Sequence, residues 1–240
     1  MISFIIPTLN EEKTIEDTLK ILKELTNYEY EIVISDGRSK DRTVEIAKQY
    51  GAKIVTYEGT IRQTISNARN LGASIATGEF LVFLDADVII PDINNFFKKT
   101  LDLFAGQEKL TALTVRIRVL PDMETWADKL IFGFFAYVNF IFNNIFGLGA
   151  GSGEFQMIRT SVFKKIGGYN EKMAVAEDVD IFQRLAKIGK TRMEMSLKIM
   201  HTGRRAHKIG WPKLLWSWTV NGLWNLIFKH SFHSVWEEIR

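Results

Sequence analysis

Two aspartates, Asp85 and Asp87, stand one residue apart directly after the apolar run FLVFL. In extended chain, residues two apart point to the same face, so both carboxylates can look into one cleft. Carboxylates this close repel each other unless a cation sits between or beside them. Mn2+ or Mg2+ fits that place, because both are hard ions that prefer oxygen ligands and phosphate. A bare Asp-X-Asp is common, and alone it reads as a solvated acidic turn. A further carboxylate, Asp36, follows a second apolar run in the segment SDGRSKDRT. There it can accept hydrogen bonds from a base or ribose, and Gly37 lets a ligand approach the backbone. Asp41 reads as the cap of the helix that follows.

Hydrophobic periodicity supplies the elements that must position these residues. Residues 2–6 form a short apolar run stopped by Pro7. Ile15, Leu19, Leu22 and Leu25 recur at helical spacing, with Thr8 or Asn10 as cap and Glu11 and Glu12 at the positive end of the dipole. Residues 31–35 read as a second strand, 41–50 as a helix and 53–56 as a third strand. Residues 61–76 read as a helix with Ile61, Ile65, Ala68, Leu71 and Ile75 on one face. Residues 80–84 are apolar throughout, as a strand buried on both faces should be. This order predicts an α/β fold whose mainly parallel, Rossmann-like sheet is flanked by helices on both sides. Ligands of such sheets lie beyond the carboxyl ends of the strands. Pro7-Thr8-Leu9-Asn10-Glu11, Asp36-Gly37-Arg38 and Asp85-Ala86-Asp87 all fall there, and this placement turns the Asp-X-Asp into a cation site. Residues 110–119 read as another strand. Residues 130–148 are strongly apolar but broken by Asn139, Asn143 and Asn144. A spanning helix needs about 20 mostly apolar residues, so a buried or interfacial helix is the better reading.

With 240 residues, 46% hydrophobic and 25% charged, the chain suits one large domain with a modest C-terminal appendage and is no disordered polymer. A net charge of +3 is too small to argue for nucleic acid. The lack of cysteine excludes disulfides, thiolate metal sites and cysteine nucleophiles. The opening segment MISFIIPTLNEE lacks the basic leader of a signal peptide, so a domain starting at residue 1 on the cytoplasmic side is expected.

Four segments, IPTLNEE, SDGRSKDRT, ARNLGASIATGEFLVFLDAD and AEDVDIFQRL, together resemble the family 2 glycosyltransferases in order and spacing. The resemblance implies the GT-A fold, a divalent cation and inverting transfer from a nucleoside-diphosphate sugar, UDP- or GDP-linked. It implies that Pro7, Thr8, Asn10 and Glu11 line the nucleotide pocket and that Asp36 meets the base or ribose. Arg69 lies where the family helps hold the nucleotide, Asp85 would meet the ribose or donor sugar, and Asp87 the metal. Asp178 matches the family's catalytic base, with Glu177 beside it on the substrate. Displacement at an anomeric carbon needs a base that removes the acceptor hydroxyl's proton opposite the leaving group. Asp178 opens an amphipathic helix whose dipole is expected to keep it ionised. Without the resemblance, Glu177, Asp178 and Asp180 read simply as acids at a helix start. The leaving diphosphate needs charge neutralisation. The run from His201 to Arg205 offers a third metal ligand in His201 and two guanidiniums, Arg204 and Arg205, suited to phosphate. A basic surface loop is the plainer reading of that run. The glycine-dense residues 147–154 read as a mobile acceptor loop or a flexible connector. Gln183-Arg184 matches only part of the Gln-X-X-Arg-Trp motif of processive synthases, so one sugar per acceptor is expected.

Five of the six tryptophans fall in the last thirty residues (Trp211, Trp216, Trp218, Trp224 and Trp236), mixed with leucines and with Lys208, Lys213 and Lys229. That composition suits helices lying in a bilayer interface, although a helix pair packed on the domain would use tryptophan too. The expected organisation is a catalytic domain over 1–205, with a nucleotide-binding half at 1–110 and an acceptor-binding half at 111–205. Residues 206–240 would be amphipathic membrane-interface helices, placing the protein peripherally at the cytoplasmic face of the cell membrane beside a lipid-linked or glycan acceptor. Two rivals are weighed. A sugar nucleotidyltransferase needs a basic, glycine-rich loop where PTLNEEKT is acidic. A non-catalytic sugar-nucleotide-binding protein would lack a base or metal ligand, yet Asp85, Asp87 and Asp178 are all present.

Overall fold

In a computed structural model, which describes residues 1–173 and 175–228, the first half of the chain becomes four parallel strands joined by helices. These are β1 (Ile2–Thr8), α1 (Ile15–Lys23), β2 (Tyr30–Asp36), α2 (Thr43–Gln49), β3 (Lys53–Thr56), α3 (Ile65–Ser74) and β4 (Phe80–Leu84). The second half runs α4 (Ile93–Gly106), β5 (Leu110–Val119), α5 (Trp126–Phe140), β6 (Phe155–Arg159), α6 (Thr160–Lys165) and α7 (Glu177–Ala186). It ends with β7 (Lys190–His201), α8 (Arg204–Ile209) and α9 (Trp211–Phe228). The sheet order is β3-β2-β1-β4-β6-β5-β7, with β6 antiparallel to both its neighbours.

The apolar strands are continuous because each feeds two cores. Ile2, Phe4 and Ile6 of β1 join Phe80, Val82 and Leu84 of β4 beneath α1 and α4, whereas Ile5, Leu81 and Phe83 face α6 and α7. Side chains alternate across a strand, so burial on both faces removes the polar half of the pattern.

One expectation changes and another gains its physical reason. The third helix starts at Ile65, after Thr64 caps it by accepting from Asn67 N, and Ile61 is 74% exposed outside it. Its buried face is Ser66, Ala68, Arg69, Gly72 and Ala73 rather than the large aliphatics. The reason is close packing: a Cβ on Gly72 would lie 2.5 Å from Ile5 Cγ2 of β1. The asparagines of residues 130–148, in turn, do not break up an apolar surface. Helix α5 runs into a π-helical turn, Ile141–Ile145, where Asn143 Nδ2 donates to Asn139 O and Ala150 O. Asn144 exchanges hydrogen bonds with the Met193 backbone. Both amides are spent inward, which leaves the outer face of α5 apolar. No helix among the described residues is long and apolar enough to cross a membrane.

Of the C-terminal tryptophans, Trp211 packs edge-on against Phe132 and Trp218 against Phe135, whereas Trp216 points outward. Lys229 and Trp236 lie outside the described residues.

Candidate active site

One cleft of about 1160 Å3 opens at the carboxyl ends of the parallel strands. Pro7, Thr8, Glu11, Arg69, Asp85, Asp87, Glu177, Asp178, His201, Arg204 and Arg205 all line it. Long-range pairings assemble it. Thr18 Oγ1 donates to Ala86 O at 3.0 Å, fixing the Asp85-Ala86-Asp87 turn on α1. Ile89 and Met200 exchange backbone hydrogen bonds, at 2.8 and 2.9 Å, which carries the end of β7 to the same turn. Thr202 Oγ1 thereby donates to Asp87 Oδ2 at 2.5 Å.

Each aspartate of the pair has its own guanidinium. Arg69, 2% exposed, lies 3.6 Å from Asp85 Oδ1, and Arg204 Nε lies 3.7 Å from Asp87 Oδ2. Arg69 donates to Glu177 Oε1 at 2.7 Å and to Gly153 O at 2.9 Å. It therefore ties β4, the glycine segment and α7 together rather than standing ready for a nucleotide. Arg204 grips Glu11 with both terminal nitrogens, at 2.7 and 2.9 Å. This bidentate geometry suits a phosphate equally well, but here Glu11 fills it.

Asp178 departs from its expected state. Burial, and then the neighbouring Glu177, push its carboxyl up to about 8, against the opposing pull of Arg69. Desolvation outweighs Arg69 and the hydrogen bond that Asp178 accepts from Val179 N. Asp85 is also pushed up, by burial first, although Arg69 opposes it.

The floor beneath the nucleotide side is arranged differently. Asp36 and Asn10 do not line the cleft. Asp36, 2% exposed, accepts from Thr8 Oγ1 at 3.0 Å and from Ser39 N and Oγ at 2.9 and 2.5 Å. Asn10, with φ at 55°, accepts from Lys40 N and donates its backbone N–H to Ser39 Oγ. Both residues bind the loop after β1 to the loop after β2. Arg38, Lys40 and Arg62 line the cleft above them.

Sequence reasoning passed over Glu154. The antiparallel register Leu84↔Phe155 makes Glu154 the residue beside Asp85 at the strand end. Burial and Asp87 raise its carboxyl. The only sequence signal was a carboxylate inside a glycine-rich run. Within that run Gly149, at φ 80°, packs on the Phe182 carbonyl, leaving no room for a Cβ.

A divalent cation fits the donor set. His201 Nε2 is buried with no hydrogen-bond partner, and burial lowers the pKa of the ring, keeping it neutral as a ligand must be. Among the described residues no three such side chains already surround one point. Mg2+ and related ions usually retain water and phosphate oxygens, so one or two carboxylates suffice to hold them.

The sequence pattern described as glycosyl transferase family 2 matches residues 3–167. The poly-beta-1,6-N-acetyl-D-glucosamine synthase of Staphylococcus epidermidis is 30% identical over 194 residues, 77% of this chain and 45% of that protein. The 4,4'-diaponeurosporenoate glycosyltransferase of Staphylococcus haemolyticus is 43% identical over 98 residues, 39% of this chain and 25% of that one. The chain thus spans less than half the length of these curated relatives. Among solved structures, a mannosyltransferase from Pyrobaculum calidifontis in complex with GDP-Man and Mn2+ superposes with a TM-score of 0.69 at 20% identity, over 90% of this chain and 59% of that one. Glucosyl-3-phosphoglycerate synthase from Mycobacterium tuberculosis, with Mn2+, UDP and phosphoglyceric acid, gives 0.64 at 20% identity, over 95% and 77%. These likenesses establish the GT-A fold. Matched over most of its length by that pattern, and built on that sheet, the chain belongs to glycosyl transferase family 2.

Proposed function

We propose that this protein transfers one glycosyl residue, with inversion, from a UDP- or GDP-linked sugar to an acceptor hydroxyl. The observation that carries the reading is the meeting of Asp85, Asp87 and Asp178, from distant parts of the chain, in one cleft. Asp85 and Asp87 with His201 would hold Mn2+ or Mg2+, which when bound neutralises the donor's diphosphate. Arg204 and Arg205 would turn to the same phosphates. Asp178, once ionised, takes the proton of the acceptor hydroxyl as that oxygen attacks the anomeric carbon and the nucleoside diphosphate leaves from the opposite face. The Arg69–Glu177 pair fixes the start of the helix that carries that base. Single transfer is favoured because Ala186 and Lys187 stand where the Gln-X-X-Arg-Trp motif, counted from Gln183, needs arginine and tryptophan.

The acceptor is lipid-linked or a glycolipid, met by residues 111–205 at the cytoplasmic membrane surface, with residues 206–240 in the interface. Supporting this are the outward side chains of α5, where Leu130 and Phe134 are each 62% exposed and Tyr137 is 64% exposed. Monomeric proteins rarely show such contiguous apolar surface without a partner. The test is a panel of UDP- and GDP-sugars with Mn2+, scored for transfer to polyprenyl and glycolipid acceptors. Asp178→Asn should bind the donor normally and lose about 10²–10⁴-fold in transfer rate; a fully active variant removes the base. Flotation with anionic vesicles tests the membrane part, and a protein left wholly in the soluble fraction refutes it.

A further inference from the structure

The cleft is larger than the roughly 300–1,000 Å3 typical of a site for one small ligand, and its two ends differ in chemistry. The carboxylates and guanidiniums occupy one end. The other is walled by Phe132, Phe135 and Phe142 of the α5 segment and by Trp211, Leu214 and Trp218 of α9. The wall is braced by edge-on rings: Phe132 with Trp211 at 5.3 Å, Phe135 with Trp218 at 5.6 Å, and Trp211 with Trp218 at 6.1 Å. Trp211 Nε1 donates to the buried Asp128 Oδ1 at 2.8 Å, so its indole offers the groove only an apolar face.

We propose that this aromatic end binds the hydrocarbon chain of the acceptor, holding its hydroxyl at Asp178. The inference rests on reading the cleft as the site of glycosyl transfer. These walls bury apolar surface without requiring a polar partner, which suits a hydrocarbon. A hydrocarbon loses nothing there. The helix that walls the groove on its inner face carries Leu130, Phe134 and Tyr137 exposed on its outer face.

A series of alkyl maltosides of increasing chain length, brominated at the chain end and kept below micelle concentration, tests the groove through quenching of tryptophan fluorescence in the full chain. Apparent affinity should rise about fourfold per methylene buried until the groove is full. Ala136→Phe, which adds a ring to the groove wall, should weaken quenching severalfold. Phe142→Gln, at a partly exposed position that the fold tolerates, should do the same, while Phe134→Gln on the outer face should leave it. A flat chain-length series overturns the proposal, and so does loss of quenching in Phe134→Gln alone. Quenching unaffected by any of the three variants overturns it too. Nucleotide-sugar binding by the wild-type protein with Mn2+, measured separately, tells failure of the groove from failure of the catalytic reading.

Discussion

The loops that follow β1 and β2 and the rim of the cleft above them are both rich in carboxylates, buried in the first and half-buried in the second, yet they treat them in opposite ways. Asp36 receives three hydrogen bonds from Thr8 and Ser39. At the rim, Asp85, Glu154 and Asp178 crowd together and burial raises all three. Their compensation is incomplete: Arg69 is shared between Asp85 and Glu177, and His201 Nε2 has no partner. A satisfied carboxylate holds a scaffold. A group of partly compensated ones stores an electrostatic cost that a cation and a donor can relieve, and such perturbed sites are where function concentrates.

The sharpest way to break the contrast is to remove the shared cation. Arg69→Met leaves Glu177 and Asp85 facing each other without it, and breaking a buried pair from one side costs about 3–5 kcal/mol. Urea unfolding should show that loss, and a change within error would mean that the rim carboxylates are already neutral. Asp36→Ala should cost less, about 1–3 kcal/mol for donors left unsatisfied, measured the same way. Parity between the two variants would erase the distinction between scaffold and site.

Asp178 gives a smaller effect with a defined sign. Its carboxyl moves from 3.8 up to about 8 in the folded state, so the folded protein holds a proton that the unfolded chain releases. Stability from this group is complete below the unfolded value and is lost as pH rises through the folded one. In the metal-free protein, Asp178→Asn should therefore melt higher than wild type near pH 8, by roughly 2–4 °C for each kcal/mol relieved. The difference should shrink towards pH 4. Transfer by the wild type should gain an acid limb near neutrality, since only the ionised form accepts a proton; a limb near pH 4 would mean that Asp178 is not desolvated.

How much of this was legible in the sequence follows the same division. β1, β2, β4 and β5 were readable because burial on both faces leaves apolar runs that local pattern detects, and β3, an edge strand without a buried residue, from its Ile54-Val55 centre. α1 announced itself by large apolar residues at helical spacing. α3 was read by the same signal but with the wrong buried face, because its packed side carries Gly72 and Ala73, small for close packing. β6 and β7 were missed, and with them the neighbourhood of Asp85 and Glu154, because an antiparallel strand inserted between parallel ones leaves no local mark. Asp85 and Asp87 were picked out by residue type and spacing and Asp178 only through the family resemblance; the structure lines one cleft with all three. What spacing could not convey is that Asp36 and Asn10 turn away from the cleft, or that Arg204 rests on Glu11.

The central claim is that Asp85 and Asp87 hold a cation for a nucleotide-sugar donor. Calorimetric titration of UDP- and GDP-sugars into the wild-type protein and Asp87→Ala, with and without Mn2+, tests it most directly. The account predicts binding that Mn2+ tightens at least about tenfold, or roughly 1.4 kcal/mol, in the wild type and leaves unchanged in the variant. Donor binding that ignores both the metal and the substitution would contradict it.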